Sequence, residues 1–275
     1  MRSNQDDRTI KSFGEEWQSF NQGKLSKEES EEIFNKYFSI FPWESLPKDA
    51  IGFDMGCGTG RWAKLVAKKV KHLTLIDPSA SLEVAKQNLS EFNNVTYLNE
   101  ASHSISLEAD SQDFGYSLGV LHHIPDTEQA LKDCARILKK GSPMLVYLYY
   151  ALDNRSVFFK GIWALSNIMR SLISRLPNKI KLVVTDVLAL IIYLPLAKFC
   201  YLLSSLKIDV SKVPLSFYKD CSFYTMRTDS RDRFGTPLER RFTKKEIMVM
   251  MNNAGLEDLK FREQEPYWCC VGIKK

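Results

Sequence analysis

From Ile51 onward, short apolar runs alternate with amphipathic stretches, the pattern of strands and crossover helices in a parallel α/β sheet. The pattern predicts a strand over Ile51–Met55, a helix over 61–69, a strand over 73–76 and a helix over 80–92. Strands follow over Val95–Leu98 and Phe114–Leu118, then a helix over 127–138. A turn at Lys140, Gly141 and Ser142 leads into a fifth strand over 144–149. Near the far end, 243–253 reads as a helix. Thr243 stands at its N-cap with Glu246 three residues on, and Gly255 stops it. Two strand-like segments, 256–263 and 267–273, could then close the sheet as a hairpin. The expected fold is α/β, a doubly wound and mostly parallel sheet.

Between the fifth strand and this last unit, residues 151–241 interrupt the alternation, longer than any ordinary connection. In its first half Phe158, Ile162, Leu165, Met169, Leu172 and Leu176 recur at helical spacing, while Arg155, Lys160, Arg170 and Arg175 fall elsewhere. Residues 154–185 contain no Asp or Glu. That basic face is either simply solvated or able to meet phosphates or anionic lipid headgroups, so the 155–206 region is a candidate for peripheral membrane contact. Residues 183–206 are apolar nearly all round, but Asp186, Pro195 and Lys198 interrupt them, which argues against a spanning segment. A helix packed on the domain, or a lid over an apolar pocket, is expected instead.

With 275 residues, 44% of them hydrophobic and 26% charged, the chain can build one large core but hardly two full-sized domains. The expected division is an N-terminal helical cap over 1–45, a cofactor-binding core over 46–150, the helical insertion or lid over 151–241 and a closing unit over 242–275. Thirty-eight basic against thirty-three acidic side chains leave +5, too little to mark a nucleic-acid binder. The six cysteines show neither CxxC nor zinc-site spacing, so no metal is expected and the thiols read as reduced and structural. Residues 1–20 carry no apolar leader pattern. The expected location is the cytoplasm, with the inner face of a membrane as the place of any peripheral contact.

The strongest local chemistry lies between the first strand and its helix, where Asp54, Gly56, Cys57, Gly58 and Gly60 form a GxGxG loop. Glycines let the backbone approach a ligand closely, and a following helix offers free N–H groups. Arg61 stands where a dinucleotide fingerprint has its last glycine. Asp77 ends the second strand at the distance where a carboxylate can reach a ribose; the other reading is a helix N-cap.

Together with "LIDPS", "DFGYSLGVLHHIPD" and "ARILKKGSPMLV", the run "FDMGCGTGRW" resembles the class I S-adenosylmethionine-dependent methyltransferases, over residues 51–144 and in the family's order. The resemblance implies a seven-stranded Rossmann-like sheet with an antiparallel last strand. It implies S-adenosyl-L-methionine as cofactor and S-adenosyl-L-homocysteine as product. By it, residues 54–60 hold the methionine end, Asp77 followed by Pro78 takes the ribose, and Ala101 and Ser102 flank the adenine. Leu118 and Gly119 lie beside the sulfonium. Ala101 departs from an acidic residue common in the family. The segment "TIKSFGEEWQSF" looks like the family's N-terminal cap, with Phe13 and Trp17 on one helical face.

Methyl transfer needs alignment, exclusion of water and, for an O–H or N–H acceptor, a base. His122 and His123 follow the fourth strand, either as base and cofactor wall or as structural residues, with His122 the better base. Tyr149 and Tyr150, past the fifth strand, could face the acceptor or pack in the core. The segment containing Tyr224, Arg227 and Arg233 could grip an anionic, phosphorylated or lipid-linked acceptor, or form a salt-bridged loop. The expected function is methyl transfer to a small or lipid-linked acceptor. Alternatives are a nucleic-acid methyltransferase, an NAD(P)-dependent oxidoreductase, or a non-catalytic module for partner or membrane contact.

Overall fold

The computed structural model describes residues 4–20, 22, 25–210 and 213–275. Two compact units result: Met1–Asn21, Ser30–Asp153 and Leu238–Lys275 form the first, Gln22–Glu29 and Asn154–Pro237 the second. The inserted unit is thus narrower than 151–241, because Tyr150 and Phe242 bridge and Ala151 N donates to Phe242 O at 2.8 Å, fastening both chain ends to the first unit.

A seven-stranded sheet runs through the first unit, built from β1 (Ile51–Met55), β2 (His72–Ile76), β3 (Val95–Leu98), β4 (Phe114–Leu118), β5 (Pro143–Tyr147), β6 (Leu256–Phe261) and β7 (Cys269–Lys274). The order is β3-β2-β1-β4-β5-β7-β6, with β7 antiparallel to both of its neighbours. Strand order reverses between β1 and β4, so the crevice where an open α/β sheet takes its ligand falls at the ends of those two strands.

Helices α1 (Asp7–Ser19), α2 (Lys27–Phe38), α3 (Ala63–Val66), α4 (Ser81–Asn88) and α5 (Thr127–Ile137) precede the insertion, and α10 (Lys244–Asn253) follows the helices of the second unit. Side chains alternate between the sheet's two faces. Phe53, Met55 and Val146 join α5 and α10, while Leu73, Leu75 and Leu145 join α2, α3 and α4. The capping box at Thr243 forms as its sequence signature predicts. The helix predicted over 61–69 keeps only Ala63–Val66 in α geometry, because Lys69 N bonds to Val66 O and turns the chain back toward β2. The first helix of the expected N-terminal cap begins at Asp7, where Asp6 accepts from Thr9 N at 2.8 Å; residues 1–3 lie outside the described part.

In the second unit α6 (Val157–Ile173) is followed by a continuous 28-residue helix, Asn178–Ser205. It comprises α7 (Asn178–Leu188), a π-turn (Ala189–Tyr193) and α8 (Leu194–Ser205). The expected interruption does not occur. Pro195 sits at the first turn of α8, where no N–H is needed once the π-turn has widened the spiral, and Asp186 is paired. By length and composition this helix could cross a membrane. The segment around Arg227, for which a salt-bridged loop is one of two readings, is α9 (Phe223–Gly235), capped by Ser222. Ile173, Leu188, Tyr193, Ala197, Met226 and Phe234 form this unit's small core.

Candidate functional site

The loop after β1 turns on three glycines in the left-handed region, Gly56 (φ 76°), Gly58 (φ 54°) and Gly60 (φ 74°). A side chain at Gly56 would come within 2.3 Å of Val120, so this turn lies directly against the segment after β4. Asp77, at the end of β2, fixes the loop: its Oδ2 accepts from Gly58 N at 2.9 Å. Its Oδ1 accepts from Ser79 N at 2.8 Å and from Ser79 Oγ at 2.7 Å, so Asp77 acts both as a turn cap and as a brace for the loop. One lone pair of Oδ2 stays open in that arrangement. Burial raises the Asp77 carboxyl above the ordinary carboxylate range, and the Ser79 and Gly58 hydrogen bonds draw it partly back.

Asp54, the last acid of β1, is buried, and its Oδ2 meets no donor in hydrogen-bonding geometry. Burial pushes its carboxyl up to about 8; the Tyr116 hydroxyl beside it pulls downward and the Asp77 charge pushes further up. Two buried acids close together, one with an oxygen unpaired, suit a ligand that brings positive charge. Cys57 is buried beside them as a thiol, its pKa pushed well up by burial and by both acids.

Helix α1 lies against this loop. The Trp17 indole stands over Gly58, 3.5 Å from where a Cβ would be, and Gly14 packs on Ala80 at the start of α4. Phe13 meets His123 edge-on at 4.9 Å. Together, Pro78, Asn99, Glu100 and Ala101 at the ends of β2 and β3, with Gln5 and Lys11 beside them, line a cavity of about 370 Å³. Ser102 borders this region with a buried hydroxyl that has no hydrogen-bond partner. The loop, Trp17, Asp77, Pro78 and Ala101 are thus brought to one end of the sheet.

At the ends of β4 and β5 the site is aromatic. Gly119 (φ 78°) follows Leu118, and Gly119 N bonds to Tyr147 O at 3.0 Å. His122 is buried and stacks on Tyr149 at 3.9 Å, with neither ring nitrogen hydrogen-bonded. Burial, with the charges of His123 and Arg241, holds its imidazole well below the ordinary 6.5, so it is neutral at physiological pH. His123 Nδ1 lies 2.6 Å from the Leu238 carbonyl, which fixes Nδ1 as the protonated nitrogen.

Arg241 places its guanidinium 5.2 Å from the Tyr149 ring, bonds to Glu239 at 2.9 Å and donates to Tyr150 O at 3.3 Å. Tyr150 itself turns toward Tyr267 at 5.4 Å and Trp268 at 6.5 Å. Sequence reasoning counts Arg241 among the arginines that could grip an anion, but misses its pairing with Glu239 and the part played by Ser79. Glu239 and Arg241 are far from the motifs in sequence, and only the return of the chain after the insertion brings them to Tyr149. Ser79 was legible in "LIDPS", where a serine two residues past an acid is a common turn partner.

The remaining candidates belong to the second unit. Arg227 grips Asp186 through two hydrogen bonds, at 2.8 and 2.5 Å, and Arg233 donates to Ser166 Oγ at 2.9 Å. The Tyr224 hydroxyl accepts from Gln22 N at 3.0 Å.

A seven-stranded sheet with one antiparallel strand, a glycine turn after β1 and an acid ending β2 define a Rossmann-like methyltransferase fold. Comparison with known proteins agrees: residues 53–146 match the family model described as a methyltransferase domain. Over 105 residues the chain is 30% identical to the ubiquinone biosynthesis O-methyltransferase of Coxiella burnetii, covering 38% of this chain and 43% of that enzyme. It is 31% identical over 110 residues to the ubiquinone/menaquinone biosynthesis C-methyltransferase of Campylobacter jejuni, covering 37% and 45%. The chain therefore spans less than half the length of these curated relatives. An O-methyltransferase family protein from Burkholderia thailandensis shares the fold at a TM-score of 0.56 and 12% identity, over 94% of this chain and 59% of that one. Residues 53–146 are thus similar to a methyltransferase domain, over about a third of the chain.

Proposed function

We propose that this chain binds S-adenosyl-L-methionine at the end of β1 and β2 and methylates a small-molecule acceptor at the ends of β4 and β5. The observation that carries this reading is the pair of buried acids around the glycine turn, Asp77 bracing Gly58 and Asp54 with Oδ2 unpaired. The cofactor's cationic methionine end fits an acidic pocket that is otherwise costly to keep charged. In this reading Asp54 and the glycine loop hold that end, and Asp77 accepts a ribose hydroxyl on its open lone pair. Pro78, Ala101 and Ser102 border the adenine, and Trp17 covers the loop and excludes water. When bound, the cofactor supplies a methyl group already activated by its sulfonium.

His122 and Tyr149 then position the acceptor. A neutral His122 accepts a hydrogen bond from an acceptor hydroxyl, and its depressed basicity suits orientation better than strong proton abstraction. Arg241, clamped by Glu239, holds the Tyr149 ring in place. The relatives named above act in ubiquinone or menaquinone biosynthesis, one as an O- and one as a C-methyltransferase, which supports a small-molecule acceptor without choosing the atom. A lipid-linked acceptor is the version favoured by the apolar second unit. For an anionic one, Arg227 and Arg233 would have to share guanidinium groups that Asp186 and Ser166 already engage.

Calorimetry tests the cofactor reading directly. The purified chain should bind S-adenosylmethionine and S-adenosylhomocysteine with micromolar affinity and ignore NADH, and Asp77→Ala should lose that binding. No binding by folded wild-type protein would overturn the reading. Tritium from labelled cofactor should then enter a small-molecule or lipid extract; label entering bulk RNA alone would reassign the acceptor to nucleic acid.

A further inference from the structure

The second unit distributes its side chains the wrong way round for a domain facing water. Among the described residues, eighteen of the twenty exposed large apolar side chains lie between Val157 and Phe223, so the exposure belongs to this unit and not to the protein's surface in general. On α6 the outward stripe is Phe158, Ile162, Leu165, Ile168 and Leu172, with Phe158 71% and Leu165 64% exposed. Its inward side carries Ser166 and Arg170, the latter donating to the carbonyls of Thr236 and Pro237 at 3.0 and 2.9 Å. The long helix repeats this: Val183, Leu190, Ile191, Phe199 and Leu202 face outward, while Lys181 and Thr185 are buried. Arg231 of α9 is fully buried and reaches Asn178. Apolar faces turned out and polar groups turned in are what a hydrocarbon environment selects.

We infer that this unit is a membrane-docking module, which lays the exposed faces of α6 and of the helix Asn178–Ser205 into one leaflet of an anionic bilayer. Charge selects that occupant. Residues 154–208 carry eight Lys and Arg and a single acid, Asp186, which Arg227 takes. Lys160, Arg175, Lys179 and Lys198 are exposed beside the apolar stripes. Anionic headgroups complement such a surface. A second copy of the chain would instead bring the same cations against each other across a two-fold axis.

The packing also decides between lying on a bilayer and crossing it. At 28 residues the long helix extends for about 42 Å, enough to span a hydrocarbon core of about 30 Å. However, its Lys181–Asp186 side packs on α9, which carries Arg227, Asp229, Arg231, Asp232 and Arg233. Crossing would take that charged helix into the hydrocarbon, whereas insertion by one face leaves it outside. The chain leaves the first unit just after Tyr149 and Tyr150 and returns to it at Leu238, whose carbonyl binds His123.

The inference does not rest on methyl transfer, and vesicle flotation of the purified full chain tests it. The chain should float with vesicles of phosphatidylcholine mixed with phosphatidylglycerol, more weakly with phosphatidylcholine alone, and stay partly bound in high salt. Leu165→Glu/Leu190→Glu/Phe199→Glu replaces side chains that are already exposed, so its circular dichroism should match wild type while its partition coefficient falls at least about tenfold. Lys160→Glu/Arg175→Glu/Lys179→Glu should remove the preference for phosphatidylglycerol. Failure of wild type to float on either vesicle would overturn the proposal. So would a concentration-dependent dimer in light scattering that the apolar-to-Glu variant dissolves, since the face would then belong to a second copy. Cofactor binding by the same preparation reports separately on the methyltransferase reading.

Discussion

Asp77 Oδ2 accepts the amide proton of Gly58 at 2.9 Å, so the acid that ends β2 also holds the glycine turn that follows β1. One carboxylate thus fixes the shape of the loop, and in the proposed cofactor site it would also accept a ribose hydroxyl. Loop geometry and ligand affinity would then be coupled through a single side chain.

The three turn glycines should respond unequally to substitution. Gly58→Ala keeps the bond to Asp77 and meets Trp17 at an ordinary 3.5 Å, so its cost is the left-handed backbone, about 1–2 kcal/mol. Gly56→Ala drives its methyl to within 2.3 Å of Val120 and should cost a further ~1–3 kcal/mol through overpacking. Urea melts would show this order, and Gly56→Ala/Val120→Ala should recover part of the loss. Equal destabilisation by the two single variants would contradict the geometry.

Stability should fall as pH rises because of Asp54. Its folded pKa, about 8, lies above the unfolded value of about 3.9, so the folded chain holds a proton that the unfolded chain releases. The contribution is complete below about pH 4 and is lost as pH rises toward about 8, with a slope of at most ~1.4 kcal/mol per pH unit. Asp54→Asn should flatten that slope in thermal melts of the ligand-free protein. An unchanged pH profile would place the carboxyl elsewhere in charge. If bound cofactor ionises Asp54, calorimetry in buffers of different ionisation enthalpy should also detect proton release near pH 7.

His122 should be silent in a histidine titration. Burial holds its ring neutral, so isotope-labelled side-chain spectra should show a His122 resonance that does not move around pH 6.5. His122→Phe should remove that resonance while keeping much of the stacking on Tyr149. A ring that titrates near 6.5 would mean the pocket is wetter than its packing implies.

The Arg227–Asp186 pair should matter through geometry more than charge. Arg227→Lys keeps the charge but loses the two-pronged grip, and the half-exposed setting limits the cost to about 0.5–1.5 kcal/mol. Asp186→Asn/Arg227→Met should restore much of it in a double-mutant cycle. Additive losses would show that the two residues act separately.

The sequence by itself determined what local patterning controls. The alternation of β1 to β5 with their helices, the capping box at Thr243 and the glycine turn after Asp54 all depend on residues close together in the chain, where periodicity and turn chemistry act. Only the tertiary structure decided the rest, because burial and pairing depend on what lies across space. Asp186 reads as a break in an apolar run until Arg227 meets it, and Pro195 until the π-turn accommodates it. The segment around Arg227 can be read as a salt-bridged loop, yet Arg227, Ser230 and Arg233 meet Asp186, the Thr185 carbonyl and Ser166 on neighbouring helices, and it folds as α9. Arg241 is one arginine among many in the sequence, and it acquires a place beside Tyr149 only when the chain returns from the insertion to pair with β5's extension. The outward turn of the apolar faces was equally invisible, since a helical stripe states that a face exists and the fold alone chooses what it faces.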